Sequence, residues 1–327
     1  MTSQIRFMAV TALVLLGGSS LVACGESSSA SSETPSERRA AAREIIKQAH
    51  AVNPKASSAR ISLTADLRIN GIEKLEGPIE ITANGRYNLA EGETVPDVDF
   101  DVGVSVKDRA LGGGLVLAGG TAYVKLGTVG YKIPDEITRT LMAPAADADN
   151  GLTKTAAMFH VNPQDWQRGA QLTGTSTVAG ERVDVLEAGI RADRAFLDLD
   201  RFVRFLARLG VTKALGLPGQ IGPELRAALV RSVTMARGKV WIGSDDHVLR
   251  KAQLVGRGVV APSDRKLLYG ATGATLAANL SITDVGVPQQ ISAPKQLDSY
   301  DSLQLALSAL GESVRRDVLA ARRAARR

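Results

Sequence analysis

Between residues 58 and 107 the chain alternates apolar and polar positions three times over. Ile61, Leu63, Ala65, Leu67 and Ile69 are spaced by Ser62, Thr64, Asp66 and Arg68. Ile79, Ile81 and Ala83 alternate with Glu80, Thr82 and Asn84, and Tyr87 and Leu89 carry the same face past Gly85. Val98, Phe100, Val102, Val104 and Val106 do the same against Asp97, Asp99, Asp101, Ser105 and Lys107. A period of two with one wet face predicts antiparallel strands packed on one side only. Two further apolar segments, 115–117 and 122–126, flank Gly119-Gly120 and predict a hairpin. Residues 130–134 close this first meander.

Elsewhere the period is helical. Thr34-Pro35-Ser36-Glu37 predicts a helix start: Thr34 as N-cap, Pro35 at the first helical position, Glu37 completing a capping box. That helix runs to His50, with Ala42, Ile45, Ile46 and Ala49 on one face, and ends before Asn53-Pro54. A short helix is expected over 152–159, a second cap at Asn162-Pro163, and a strand pair over 171–190 folded at Ala179-Gly180. Phe196, Leu199, Phe202, Phe205, Leu206 and Leu209 recur every three to four residues. They predict an amphipathic helix over Ala195–Leu209, stopped by Gly210. A shorter helix over 223–230, strands over 239–242, 249–255 and 276–282, an extended 287–294 and a last short helix over 302–310 complete the reading. No repeat of 20–50 residues emerges. The expected fold class is α+β: a curved antiparallel sheet, a half-barrel, with helices covering its concave apolar face.

Composition changes this picture in one respect. Aromatic residues are 4% of the chain, so bulky filler is scarce and a groove between sheet and helices is expected. The helix over 195–209 is the expected lid, with Leu199, Phe202, Phe205, Leu206 and Leu209 as candidate contacts for a hydrophobic ligand.

The N-terminus has a different order. One charge, Arg6, precedes an apolar run over 7–16, which Gly17-Gly18-Ser19-Ser20 interrupts. This is the order of a secretory signal, and the run is short of the roughly 20 apolar residues that span a bilayer. Leu21-Val22-Ala23-Cys24 resembles the lipobox of bacterial lipoproteins. That resemblance implies cleavage before Cys24 and a diacylglyceryl group on its sulfur; an ordinary signal peptide containing a cysteine is the alternative. Cys24 is the single cysteine of 327 residues, so it has no disulfide, zinc-cluster or CxxC partner in the chain. The expected organisation is a signal peptide over 1–23, a Ser-rich flexible tether over 24–35, the folded domain over 36–310, and an Arg-rich tail over 311–327. Six arginines against Asp317 put residues 314–327 at +5 of the chain's +6, leaving the body close to neutral. The tail reads either as a solvated helix end or as a contact with an anionic membrane, where each basic residue contributes about 1 kcal/mol. It has no aromatic residue to stack on bases, and nucleic acid is not expected as a partner.

Catalytic chemistry has little to build on. His50, His160 and His247 are the only histidines, and none has metal-ligand spacing to another. No GxSxG, GxxxxGK[ST] or HExxH occurs. Asp97, Asp99 and Asp101, with Asp108 twelfth, imitate the start of a calcium loop, but Val102 stands where the obligatory glycine belongs. Asp245 and Asp246 fit turn chemistry, and Trp166 and Trp241 fit a core, a rim or a cavity wall. No catalytic residue, metal or cofactor is expected.

The element order also resembles the LppX/LprG-type bacterial lipoproteins, which share a half-barrel fold with the carrier LolA. The resemblance rests on the lipobox, the tether, the short helix and the segments ARISLTADLRI, GTAYVKLGTVGYKIP, NPQDWQRGAQLTGTSTVAGERVDVLEAGI, GKVWIGSDDHVLRKAQL and NLSITDVGVPQQISAP. It spans most of residues 24–310 and includes no catalytic signature. It implies a membrane-tethered extracytoplasmic protein that carries a lipid or another hydrophobic small molecule. The competing expectation is a non-catalytic structural or interaction module of the cell envelope, which a filled core would favour.

Overall fold

A computed structural model describes residues 34–324, apart from 52, 73–76, 108, 147, 149 and 216–217. Cys24, the predicted signal peptide, the tether up to residue 33 and Asp108 lie outside the described residues, as do the side chains of the tail arginines.

Helix α1 (Pro35–His50) begins as its sequence requires. The Thr34 hydroxyl accepts from the Glu37 N–H, and the Glu37 carboxylate accepts from the Thr34 N–H at 2.6 Å. The first meander follows: β1 (Ser58–Asn70), β2 (Pro78–Asn88), β3 (Asp97–Val106), β4 (Arg109–Ala118), β5 (Thr121–Leu126) and β6 (Val129–Lys132). Helices α2 (Asp135–Ala146) and α3 (Gly151–Met158) lead to the hairpin of β7 (Gln167–Val178) and β8 (Glu181–Ile190). Then come α4 (Ala192–Arg208), α5 (Val211–Leu215) and α6 (Pro223–Ser232). Strands β9 (Val233–Gly243), β10 (Leu249–Val259), β11 (Gly273–Thr283) and β12 (Gln296–Asp298) and helix α7 (Tyr300–Ala324) end the chain.

All twelve strands form one sheet, ordered β12-β6-β5-β4-β3-β2-β1-β11-β10-β9-β8-β7. Every pairing is antiparallel except β12 with β6. The two ends do not pair, so the sheet is curved and open, a half-barrel. The antiparallel pairing of β1 with β11 joins the first meander to the second. Burial in β1 alternates strictly from Leu63 to Ile69, as its sequence pattern does.

Four elements differ from the sequence reading. Helix α2 was not expected, because Pro144 inside it reads as a break. Asn162 makes no capping hydrogen bond, and 163–166 is a single 3₁₀ turn. Strand β4 extends back through Gly112-Gly113-Gly114; a Cβ at Gly114 would sit 2.5 Å from the Phe100 carbonyl oxygen, so the close strand approach needs glycine. Helix α7 does not stop at 310. Gly311 lies within it, and the helix crosses the expected boundary between domain and tail.

The outer face of β3 explains its aspartates without calcium. Asp99 takes Lys125 at 2.5 Å and Arg86 at 3.1 Å, Asp101 takes Lys125 at 2.7 Å, and Asp97 accepts from the Gly119 N–H. These are cross-strand pairs on a solvated face.

The scarce aromatics are unevenly spent. Phe100, Phe159, Phe202 and Phe205, with Tyr87 and Tyr131, sit in one large cluster under the first meander, closed by α2, α3, α7 and the end of α4. Ring contacts run in a chain there: Phe100–Phe159 at 5.9 Å, Phe159–Phe202 at 6.4 Å, Phe202–Phe205 at 6.1 Å. The concave face of β9–β11 carries Ala236, Gly256, Gly258, Gly273 and Ala274 beside Leu254 and Leu276.

Candidate apolar binding cavity

The cavity follows from that imbalance. Its floor is Leu67 and Ile69 of β1, Gly273, Ala274 and Leu276 of β11, Leu254, Gly256 and Gly258 of β10, and Ala236 of β9. Glycine and alanine at so many floor positions hold back the side chains that would fill a sheet–helix interface elsewhere. The roof comes from the first turns of α4 (Ala192, Ala195, Phe196) and from Leu225, Leu229 and Ser232 of α6. Val260, Leu268, Tyr269 and Ala271 close one end, Trp166 and Ile190 one side, and Met235 and Arg257 stand at the exposed edge.

The cavity volume is about 150 Å³. An apolar void of that order stays dry and accepts a benzene-sized group; ligand pockets for whole small molecules run from about 300 Å³ upward. The space therefore fits part of a hydrocarbon chain. No polar array converges inside, so the site favours apolar matter by desolvation alone.

Two buried carboxylates brace the walls. Asp198 accepts from the Trp166 indole N–H at 2.9 Å and the Asn162 N–H at 2.8 Å, and pairs with Arg201. Asp200 accepts from the Ile221 N–H at 2.7 Å and pairs with Arg204, fixing the approach to α6. They flank the buried Leu199 on either side of the α4 apolar stripe. The Arg231 guanidinium forks onto Asp264 at 2.9 and 3.1 Å, tying α6 to the end wall. Asp264 is held below, and Arg231 above, its ordinary pKa by this hydrogen-bonded pairing.

The five residues named from sequence lie elsewhere. Phe205 and Leu209 are buried in the large cluster with Phe202 and Leu206 against it, and Leu199 packs with Phe196, Val203 and Ile221. None of the five lines the cavity; α4 contributes its first turns instead. Of the two tryptophans, Trp166 lines the cavity, while Trp241 lies beneath Lys239 and Lys251, 5.5 and 4.8 Å from its ring. The small residues of the floor were legible as VGRG and ATGAT, but single glycines in strands read first as bulges or turns.

His160 lies beside the large cluster, 6.0 Å from the Phe205 ring, in a hollow with Pro144 and Arg201. Burial, then the positive charges of Arg208 and Arg201, lowers its pKa from 6.5. The unfolded chain therefore binds the proton first: stability is full above 6.5 and falls as pH drops through 6.5 toward the lowered folded value. His160→Asn, which tolerates the positive φ of 58° at this position, is expected to flatten that acid-side loss in denaturant midpoints taken from pH ~7 to ~5.

Among the described residues no cluster of three His, Cys, Asp or Glu is placed to hold a metal, and no helix is long and apolar enough to cross a membrane.

No protein-family model and no curated protein matches the chain. Solved structures do. The chain is similar to LprF from Mycobacterium bovis, at 13% identity and a TM-score of 0.40 over 81% of this chain and 99% of that one. It is similar to the Mycobacterium tuberculosis lipoprotein LppX, at 12% and 0.35 over 79% and 100%. A LolA-superfamily protein from Nitrosomonas europaea follows at 11% and 0.20 over 74% and 94%. The likeness is one of fold. At these scores function has to be argued from this chain's own side chains.

Proposed function

We propose that the protein is a lipid-anchored extracytoplasmic lipoprotein that holds or carries a hydrophobic ligand, without catalysis. The observation that carries this reading is the apolar cavity between β9–β11 and the first turns of α4. Trp166, Phe196 and Tyr269 stand in its walls, while Phe100, Phe159, Phe202 and Phe205 pack the cluster under the first meander. The ligand is a lipid or another hydrophobic small molecule. The apolar run over 7–16 and the lipobox-like Leu21–Cys24 support export and acylation of Cys24. Two acyl chains give stable anchoring where one gives reversible binding.

Cys24→Ala tests both halves. The variant is expected to leave the membrane fraction, since the tail's few kcal/mol is screened by salt, and to keep a non-covalently bound lipid in native mass spectra. Retention in membranes at high salt would contradict the anchor. A purified protein with no bound lipid would contradict the ligand and favour an envelope interaction module.

A further inference from the structure

The outer face of β9 and β10, behind the cavity floor, and the turn at 265–267 carry an arrangement that ligand binding alone does not require. Eight large apolar side chains are exposed among the described residues, and four of them, Met235, Val255, Val259 and Leu267, fall within the two strands and the turn that bound the cavity. Val259, at 59% exposure, precedes Val260, which is buried in the wall, and Leu267 precedes the buried Leu268. The chain thus passes directly from lining the cavity to facing water with apolar side chains.

Each of these side chains has a basic neighbour. Met235 lies opposite Arg257 in the β9–β10 pairing, and Val255 lies opposite Arg237. Val259 is two residues from Arg257, and Leu267 follows Arg265-Lys266. Arg237, Arg257, Arg265 and Lys266 are exposed, and no ion pair to a described residue engages them. From 247 through 283 the only acidic residue is Asp264, and Arg231 occupies it. This outer rim of β9, β10 and the turn is therefore apolar and positive together.

We propose that this rim docks on an anionic phospholipid bilayer. Apolar side chains on such a surface sink about 5–10 Å to the boundary of headgroups and acyl chains, while arginine and lysine reach back to the phosphates. A protein partner would call for a continuous apolar patch with charge at its border; here charge alternates with apolar residues along the strands and turn.

The test uses the full-length chain with Cys24→Ala, carrying a polarity-sensitive dye on a new cysteine, Leu267→Cys or Val259→Cys. Asp245→Cys, in the turn at the opposite end of β9 and β10, is the control. With phosphatidylglycerol–phosphatidylcholine vesicles the dye is expected to blue-shift at 267 and 259 and not at 245. Pure phosphatidylcholine should give a much weaker response. Arg237→Gln, Arg265→Gln and Lys266→Gln together should weaken the anionic-vesicle response on the order of a hundredfold. An unshifted dye at 267 and 259, or an equal shift at 245, would overturn the docking. So would a response to envelope proteins but not to vesicles, which assigns the rim to a protein partner. Native mass spectra of the same samples separate the two ideas: bound lipid with no docking removes this inference alone, whereas docking without bound lipid leaves the surface and removes the ligand.

Discussion

Ala236→Leu together with Ala274→Leu is expected to abolish lipid retention while leaving the protein as stable as the parent, or more so. Both alanines lie on the cavity floor, on strands held by the β9–β10–β11 ladder. Leucine at each directs three further carbons into about 150 Å³ of void. Burying that hydrocarbon contributes roughly 0.8 kcal/mol per carbon, which offsets the 1–3 kcal/mol that local overpacking costs. In a site already filled by protein the same pair would only strain the fold. Native mass spectrometry and denaturant midpoints on the same preparations decide it: unchanged lipid with lowered stability would mean that the void is not where the ligand sits.

Phe205→Ala should act in the opposite sense, costing about 3–5 kcal/mol of stability and leaving lipid retention intact. The ring is 5% exposed, and it packs within 6.1 Å of Phe202 and 6.0 Å of His160. A residue closing a fluid groove would lose less, because ligand carbons replace its contacts. Phe205 packs among the side chains of the large cluster, so the lost volume becomes a cavity there. Equilibrium denaturation checks the size of the loss. A loss below about 2 kcal/mol with lipid released would restore helix 195–209 as a lid over the ligand.

The contrast between these two substitutions locates what the sequence reveals. Alternation in β1, β2 and β3 is read directly from Ile61–Ile69, Ile79–Leu89 and Val98–Val106, because one buried face fixes strand register. The capping box at Thr34 and Glu37 likewise states its helix start in four residues. Helix α2 hides behind Pro144, and β12 is three residues whose partner, β6, lies more than 160 positions away. The amphipathic stripe of α4 shows that Phe202 and Phe205 face apolar surface; it does not show which apolar surface. Only the order of strands in the sheet sets the end of α4 against β2–β4 and its start against β9–β11. A cavity is also an absence of side chains, and Gly256, Gly258 and Ala274 have no periodic signature until three strands lie side by side. Asp198 and Asp200 were invisible for a related reason. Leu199 stands between them, and their work is done on Trp166 and Ile221, held by the fold alone.

Trp166 offers the most direct measurement of the central claim, that a hydrocarbon chain occupies this cavity. The protein has two tryptophans, one in the cavity wall and one away from it. With Trp241→Phe, Trp166 is the sole indole, and titrating the delipidated chain with a brominated fatty acid reports contact by quenching. The account predicts saturable quenching of Trp166, absent in the chain that also carries Ala236→Leu and Ala274→Leu. Unquenched Trp166, or quenching confined to Trp241 in the reciprocal Trp166→Phe chain, would contradict it.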